Sequence, residues 1–311
     1  MALESGRDGF GKALLELGET NSKVVALSAD LTESIRAHWF AEKYPHRFFQ
    51  MGVAEQDMIG TSAGLALSGF IPFATTFAVF AAQRAQEQIR MAVCYNRSNV
   101  KIAVSHGGLT VGEDGATHQG LEDIAVMRVL PEMTVLVPAD SEEARLATLA
   151  AAEWDGPVYL RLGRTPTPVV TENADPFQIG KARILAEGND VTIVACGIMV
   201  NAALQAREML EKEGVAARVL DMHTIKPLDQ EALLKAAVET KCMVTAEEHS
   251  VIGGLGGAVT EFLSAEQPIP ILRVGTQDTF GESGTPDELL EKYHLTPDAI
   301  KKACQKVVQS K

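Results

Sequence analysis

Met51-Gly52-Val53-Ala54-Glu55-Gln56-Asp57 opens the stretch from which the rest of the chain is read. It continues through Phe73-Ala74-Thr75-Thr76-Phe77-Ala78-Val79-Phe80. It closes on Ser105-His106-Gly107-Gly108 and Gly112-Glu113-Asp114-Gly115-Ala116-Thr117-His118-Gln119. The apolar run Phe48–Met51 predicts a short strand, Glu55–Leu67 a helix, Phe70–Thr75 a strand and Phe77–Ala92 a second helix. This alternation points to a parallel sheet flanked by helices. After Glu55 and Asp57 no charged residue appears from Met58 to Gln83. A carboxylate entering such surroundings is costly unless paired, which makes Glu55 a natural partner for a ligand nitrogen. Its place at a helix N-terminus is also electrostatically favourable by itself.

Upstream, Gly9–Glu19 has helical spacing at Phe10, Leu14 and Leu17, and Lys23–Ser28 is a buried strand. That strand ends at Ala29-Asp30-Leu31-Thr32-Glu33-Ser34, where open α/β sheets place ligand groups. Asp30 and Ser34 equally suit caps of a following helix. Downstream, Val100–Ser105 is a strand running into the glycine-rich loop His106–Gln119, long, polar and flanked by regular structure, as functional loops are. His106 and His118, with Asp114 between them, lack compact metal-ligand spacing. Two neutral imidazoles suit hydroxyl recognition or proton transfer better. Phe77 and Phe80 share a helix face with Arg84, a spacing common in cores.

Glu122–Val129 reads as a helix, Thr134–Val137 as a strand and Ser141–Ala152 as a helix capped by Ser141. Pro157–Leu162 is a strand that delivers Arg161 and Arg164 to a loop, in a pattern suited to an anion or to a surface salt bridge. Thr165–Gln178 is rich in Pro and Thr and reads as a linker. A second strand–helix series follows: Asp190–Ala195, Met199–Glu213, Ala217–Leu220, Asp229–Thr240, Met243–Ala246 and Ile269–Val274. Within it, Gly253-Gly254-Leu255-Gly256-Gly257 opens a helix to Leu263. This run misses the dinucleotide-binding spacing and suggests close helix–strand packing with weak anion affinity. The organisation expected is α/β in two domains, each a mostly parallel sheet flanked by helices, at residues 1–164 and 181–311 with a linker at 165–180.

At 311 residues, 46% hydrophobic and 22% charged, the chain can bury a sizeable core. A net charge of −13 argues against a nucleic-acid or membrane surface. The four cysteines, Cys94, Cys196, Cys242 and Cys304, are widely separated and read as reduced buried thiols. The start lacks a basic region followed by an apolar run, which leads to the expectation of a cytoplasmic chain without a signal peptide. Met58–Gln83 is long enough to span a bilayer, but Pro72 and its Gly and Ser/Thr residues favour a buried helix and strand.

Taken together and in order, these strings resemble the pyrimidine-binding domain of transketolase. The resemblance extends through Leu136-Val137-Pro138-Ala139-Asp140 and Asp221-Met222-His223-Thr224-Ile225-Lys226-Pro227-Leu228-Asp229 and covers essentially the whole chain. It implies a thiamine diphosphate enzyme that passes a two-carbon ketol unit from a ketose phosphate to an aldose phosphate, in the pentose phosphate pathway. Glu55 would bind N1′ of the cofactor's aminopyrimidine, Phe77 with Phe80 behind it would stack on that ring, and Asp30 would lie among the cofactor-binding residues. His106 and His118 match the histidines that meet substrate hydroxyls and transfer protons. Asp114 matches a carboxylate reading the acceptor C2 hydroxyl, and Ser34 and one of Arg161 and Arg164 match phosphate contacts.

The family's Gly-Asp-Gly metal motif is absent from the sequence, which starts near the point where a pyrimidine-binding domain begins. The resemblance therefore implies a C-terminal subunit with no metal site of its own. A separate N-terminal subunit would hold Mg²⁺ or Ca²⁺ and the diphosphate in an α₂β₂ assembly. Gln56 and Gln83 stand where the family commonly has a histidine and an aromatic. The alternatives are the β subunit of a 2-oxo acid dehydrogenase, a deoxyxylulose-phosphate synthase-like enzyme and a non-catalytic subunit.

Overall fold

A computed structural model of the chain describes residues 3–172 and 174–311; Met1, Ala2 and Asn173, the last inside the expected linker, lie outside the described residues. The apolar runs of the first half assemble into a seven-stranded sheet. Its order is Thr224–Lys226, Thr134–Leu136, Val158–Arg161, Lys101–Ser105, Ile71–Phe77, Val24–Ser28 and Phe48–Gln50. Six of these strands are parallel, and all but the edge strand Phe48–Gln50 are almost wholly buried, as strands covered on both faces are. The second sheet has the order Ile271–Thr276, Met243–Ser250, Val191–Ala195, Ala217–Asp221 and Arg183–Ala186, parallel except for the last strand. The α/β fold with mostly parallel sheets is as the sequence predicts, and helix Glu55–Leu67 has the expected bounds.

The two sheets are joined more intimately than a linker implies. Thr224–Lys226, which lies within the range 181–311, completes the first sheet by pairing antiparallel with Thr134–Leu136. One apolar cluster runs from Leu27, Met58 and Ile102 through Val137 to Leu220, Ile225 and Leu255. The expected linker is tied down as well: Thr167–Pro168 pairs with Leu3–Glu4. The Asp140 carboxylate accepts from the backbone N–H groups of Val170 at 2.7 Å and Thr171 at 2.9 Å.

Several local expectations are corrected. Asp140, not Ser141, caps helix Ser141–Glu153, its side chain accepting from Glu143 N at 3.0 Å. The helix expected over Phe77–Ala92 starts one residue later, because the strand before it extends to Phe77. It breaks at Ala85, which leaves helical geometry at φ -107 and ψ 12, into Ala78–Arg84, Gln86–Gln88 and a π-helical turn Ile89–Tyr95. Helices Pro286–Lys292 and Pro297–Val308 were not anticipated, although Thr285 and Thr296, each followed by Pro, carry N-terminal signals. All four cysteines are buried and free. Among the described residues no helix is long and apolar enough to cross a membrane.

The Gly253–Gly257 run does pack a helix against a strand, but its N-terminus is already occupied. The buried Glu247 carboxylate accepts from Leu255 N at 2.7 Å and Gly256 N at 2.8 Å. A Cβ on Gly254 would lie 2.0 Å from Glu247 Oε2. The expected weak anion affinity is thereby excluded: the protein supplies the anion itself.

Candidate active site

Glu55, Phe77, His106 and Arg164 all lie at or just beyond the carboxyl ends of first-sheet strands, the edge at which open α/β sheets bind ligands. Glu55 starts helix Glu55–Leu67 and its side chain is 4% exposed. It does not lack a partner, as the uncharged run suggested. Arg84 Nη1 donates to Glu55 Oε1 at 3.0 Å, and the Arg84 guanidinium lies 4.1 Å from the centroid of Phe80. Gln56 Nε2 donates to the Arg84 carbonyl at 3.0 Å. Glu55, Arg84 and residues 53, 54, 56 and 57 line an open pocket, so the carboxylate borders a space that a ligand can enter.

Strand register builds the aromatic part of the site. Phe77 pairs with Ser105, which brings the next residue, His106, onto the Phe77 ring at 3.7 Å between centroids and 20° between planes. Phe80 stacks on Phe77 at 5.7 Å, and His118 meets Phe80 edge-on at 5.3 Å. Phe77 is buried under His106, whereas Phe80 keeps exposed surface. Of the two rings Phe80 is the one with accessible surface, and Phe77 stacks on both it and His106.

His106 has φ +60 and is buried, with Nδ1 2.8 Å from Ser105 Oγ. Burial, then the nearby charges of Arg7 and Arg164 and then His118, lower its pKa to about 3. It is a neutral imidazole at physiological pH. His118, half-buried, has Nδ1 2.9 Å from Thr117 Oγ1. Among the described residues no group of three or more His, Cys, Asp or Glu side chains is placed to hold a metal ion.

Arg7 draws Ser34 and Arg164 together. Its Nη1 donates to the Ser34 carbonyl at 2.8 Å and its Nη2 to the Arg164 carbonyl at 3.0 Å. Arg164 donates to the Val111 carbonyl and reaches Glu113 at 3.4 Å and Asp114 at 4.0 Å. Asp114 is exposed, and Asp30, also exposed at φ +60, receives its backbone support from Gln50 Oε1 at 2.9 Å. Neither Asp30 nor Ser34 caps a helix, since the next one starts at His38 with no side-chain cap.

Arg161 is not a free anion contact. Its Nε donates to Asp123 Oδ2 at 2.8 Å, and its Nη2 to the carbonyls of Gly120 and Glu248, both at 3.0 Å. Tyr159 also donates to Asp123 Oδ2 at 2.8 Å. Burial alone would lower the Arg161 pKa, but the Asp123 and Glu248 carboxylates outweigh it and hold the guanidinium charged. Sequence reasoning missed Arg7 and Glu248, and set Arg84 on a face with Phe77 and Phe80 without assigning it a role. Only Arg84 left a signal, as the first charge after the apolar run, four residues beyond Phe80.

Residues 5–169 match the family model of the transketolase pyrimidine-binding domain, and residues 180–300 that of the transketolase C-terminal domain. The chain is 47% identical over 299 residues to a putative transketolase C-terminal section of Methanocaldococcus jannaschii, covering 95% of this chain and 94% of that one. It is 45% identical over 305 residues to a 6-deoxy-6-sulfo-D-fructose transketolase subunit of a Clostridium species, covering 98% and 95%. Among solved structures, a split gene transketolase described as an inactive beta4 tetramer superposes with a TM-score of 0.92 at 54% identity, covering 98% of each chain. With both of its domains matched and its site residues gathered at one sheet edge, this chain belongs to the transketolase family of thiamine diphosphate-dependent enzymes.

Proposed function

We propose that this chain is the pyrimidine-binding, C-terminal subunit of a split two-carbon ketol transferase acting on sugar phosphates. The observation that carries the reading is the run of contacts from Glu55 through Arg84, Phe80, Phe77 and His106 to His118 along one sheet edge. A buried carboxylate bordering an open pocket, beside a half-exposed aromatic ring, fits a protonated or amino-bearing heteroaromatic ring. When bound, thiamine diphosphate supplies the carbanion chemistry; the protein binds and orients. Glu55 offers its carboxylate to the pyrimidine N1′, Phe80 lies against the ring and Phe77 backs it.

His106, held neutral, has a nitrogen free to exchange a proton with a substrate hydroxyl, and His118 does the same from the more exposed side. Arg164 and Ser34, brought together by Arg7, form the phosphate end of the site, and Asp114 reads the acceptor hydroxyl nearest to it. Asp30, exposed beyond the Val24–Ser28 strand, borders the cofactor.

A 47% identical relative is named as a C-terminal section, and a 54% identical structure is a split gene enzyme described as inactive in its beta4 form. Both support a separate N-terminal subunit, which would hold Mg²⁺ or Ca²⁺ and the diphosphate in an α₂β₂ assembly. The sugar stays open to choice, since a 45% identical relative is named for a sulfo sugar. The pentose phosphate role is the reading we test first.

The test is thiamine diphosphate-dependent ketol transfer from xylulose 5-phosphate to ribose 5-phosphate, run on this chain alone and with candidate N-terminal subunits. Turnover in the mixture alone is expected, and Glu55→Ala is expected to abolish it while leaving the assembly intact on a sizing column. Pyruvate consumption without xylulose phosphate turnover in every mixture overturns the reading in favour of the neighbouring thiamine enzymes.

A further inference from the structure

We propose that Glu248, carried on the second sheet, is a positioning residue that sets the geometry of the loop 107–120 bearing His118 and Asp114. Glu248 lies at the end of strand Met243–Ser250, is 4% exposed and crosses to the first sheet's ligand edge. Its Oε1 accepts from Thr110 N at 2.6 Å. Gly108, at φ +95, lies flat against the same carboxylate, and a Cβ there would be 2.2 Å from the carboxyl carbon. The backbone of Glu248 is fixed in turn, because its carbonyl accepts from Arg161 Nη2 at 3.0 Å.

The same Arg161 nitrogen donates to Gly120 O, and Gly108 N donates to Gly120 O at 2.9 Å. Both ends of the loop are therefore clamped on one buried Asp123–Arg161–Glu248 cluster. Further contacts from the second half repeat the pattern. Gln119 Nε2 donates to the Glu282 carbonyl at 3.0 Å, and Gly115 packs on Ser283, whose Oγ lies 2.5 Å from where a Cβ would be. A loop built on glycines has little stiffness of its own, so its shape is the shape of what it lies against. The C-terminal half of the chain thus serves the reaction as the template of the substrate loop.

The test has an arm that needs no cofactor and an arm that rests on the ketol-transfer reading. In the chain alone, Glu248→Ala should speed amide hydrogen exchange of residues 107–120 by about tenfold or more, as local opening of a loop does. Exchange in Glu55–Leu67 and Val191–Ala195 should hold. Glu248→Gln keeps a side-chain carbonyl acceptor and should restore most of the protection. Unchanged exchange at 107–120, or uniform acceleration across the chain, overturns the proposal.

If Glu248→Ala fails to fold, Glu248→Asp, whose carboxylate falls one carbon short of Thr110, carries the same comparison. In the reconstituted enzyme, acceptor kcat/KM should fall by about tenfold or more, the scale expected for a misplaced substrate group. The half-saturating thiamine diphosphate concentration should stay within about twofold, since Glu55 and Phe80 are supported elsewhere. Parallel loss of cofactor affinity overturns the proposal. Absence of ketol transfer by the wild-type mixture counts against the functional reading, while the exchange arm still decides Glu248.

Discussion

Glu247 and Glu248 are neighbours on one strand, both buried, and each closes on a glycine-rich segment. The alternation of a strand sends them to opposite faces. Glu247 reaches nine residues ahead at most, to the N-terminus of helix Leu255–Glu266. Glu248 reaches 138 residues away, to Thr110 in the loop that bears the candidate substrate residues. Burial raises the pKa of both, that of Glu248 to about 7, against the pull of nearby donors and cations. The first acid fills a helix terminus and removes a ligand site. The second holds the backbone of the loop that bears His118 and Asp114. Glycine content does not distinguish the two segments; the origin of the acceptor does.

The sharpest break of this arrangement is at Arg161, which ties Asp123 to both the loop and Glu248. Arg161→Ala leaves a buried carboxylate unpaired and should lower stability by about 3–5 kcal/mol, read from urea unfolding. A loss below about 1 kcal/mol, the range of surface pairs, would show the cluster to be wet and loosely held.

Glu247→Ala comes next. It strips two buried amide donors of their acceptor, at about 1–3 kcal/mol each. Exchange protection should fall in helix Leu255–Glu266 and not at 107–120. If the loop loosens equally, the two acids do not act separately.

His106 sharpens the comparison through pH. Its folded pKa of about 3 lies below the ordinary histidine value, so the unfolded chain takes up a proton first as pH falls. Stability from this group is whole above about pH 6.5 and is lost between there and about pH 3, at up to about 1.4 kcal/mol per pH unit. In thermal unfolding between pH 6.5 and 4.5, His106→Asn should show a shallower decline than the wild type. Equal slopes would mean that the imidazole charges freely in place.

The smallest stability effect is expected at Arg164, whose side chain is 35% exposed and whose carboxylate partners are exposed. Arg164→Ala should cost less than about 1 kcal/mol. It should nevertheless raise the KM for a phosphorylated acceptor more than that for its unphosphorylated analogue. Equal shifts for both would remove Arg164 from the phosphate end.

Much of the fold was legible. Strand Val24–Ser28, helix Glu55–Leu67 and strand Lys101–Ser105 follow from local runs of apolar residues, and together with strands Phe48–Gln50 and Ile71–Phe77 they place Glu55, Phe77 and His106 at one sheet edge. What escaped has a common cause. Thr224–Lys226 is a three-residue strand whose partner is 88 positions or more upstream, too short for periodicity to mark. Arg84 meets Glu55, and Arg7 meets Ser34 and Arg164, across separations that no local pattern encodes.

From residue order alone come the alternation of strand and helix, the cluster of acid, aromatic and histidine side chains, and the family they resemble. The first two are properties of neighbours along the chain, set by period and spacing, and the third is a resemblance carried by whole strings of residues. Tertiary structure alone decided which of two arginines three residues apart turns inward, which phenylalanine keeps a free ring, and which of two adjacent acids serves the loop. Each of those choices depends on burial and on partners far away in sequence, and a buried polar group is defined by what satisfies it.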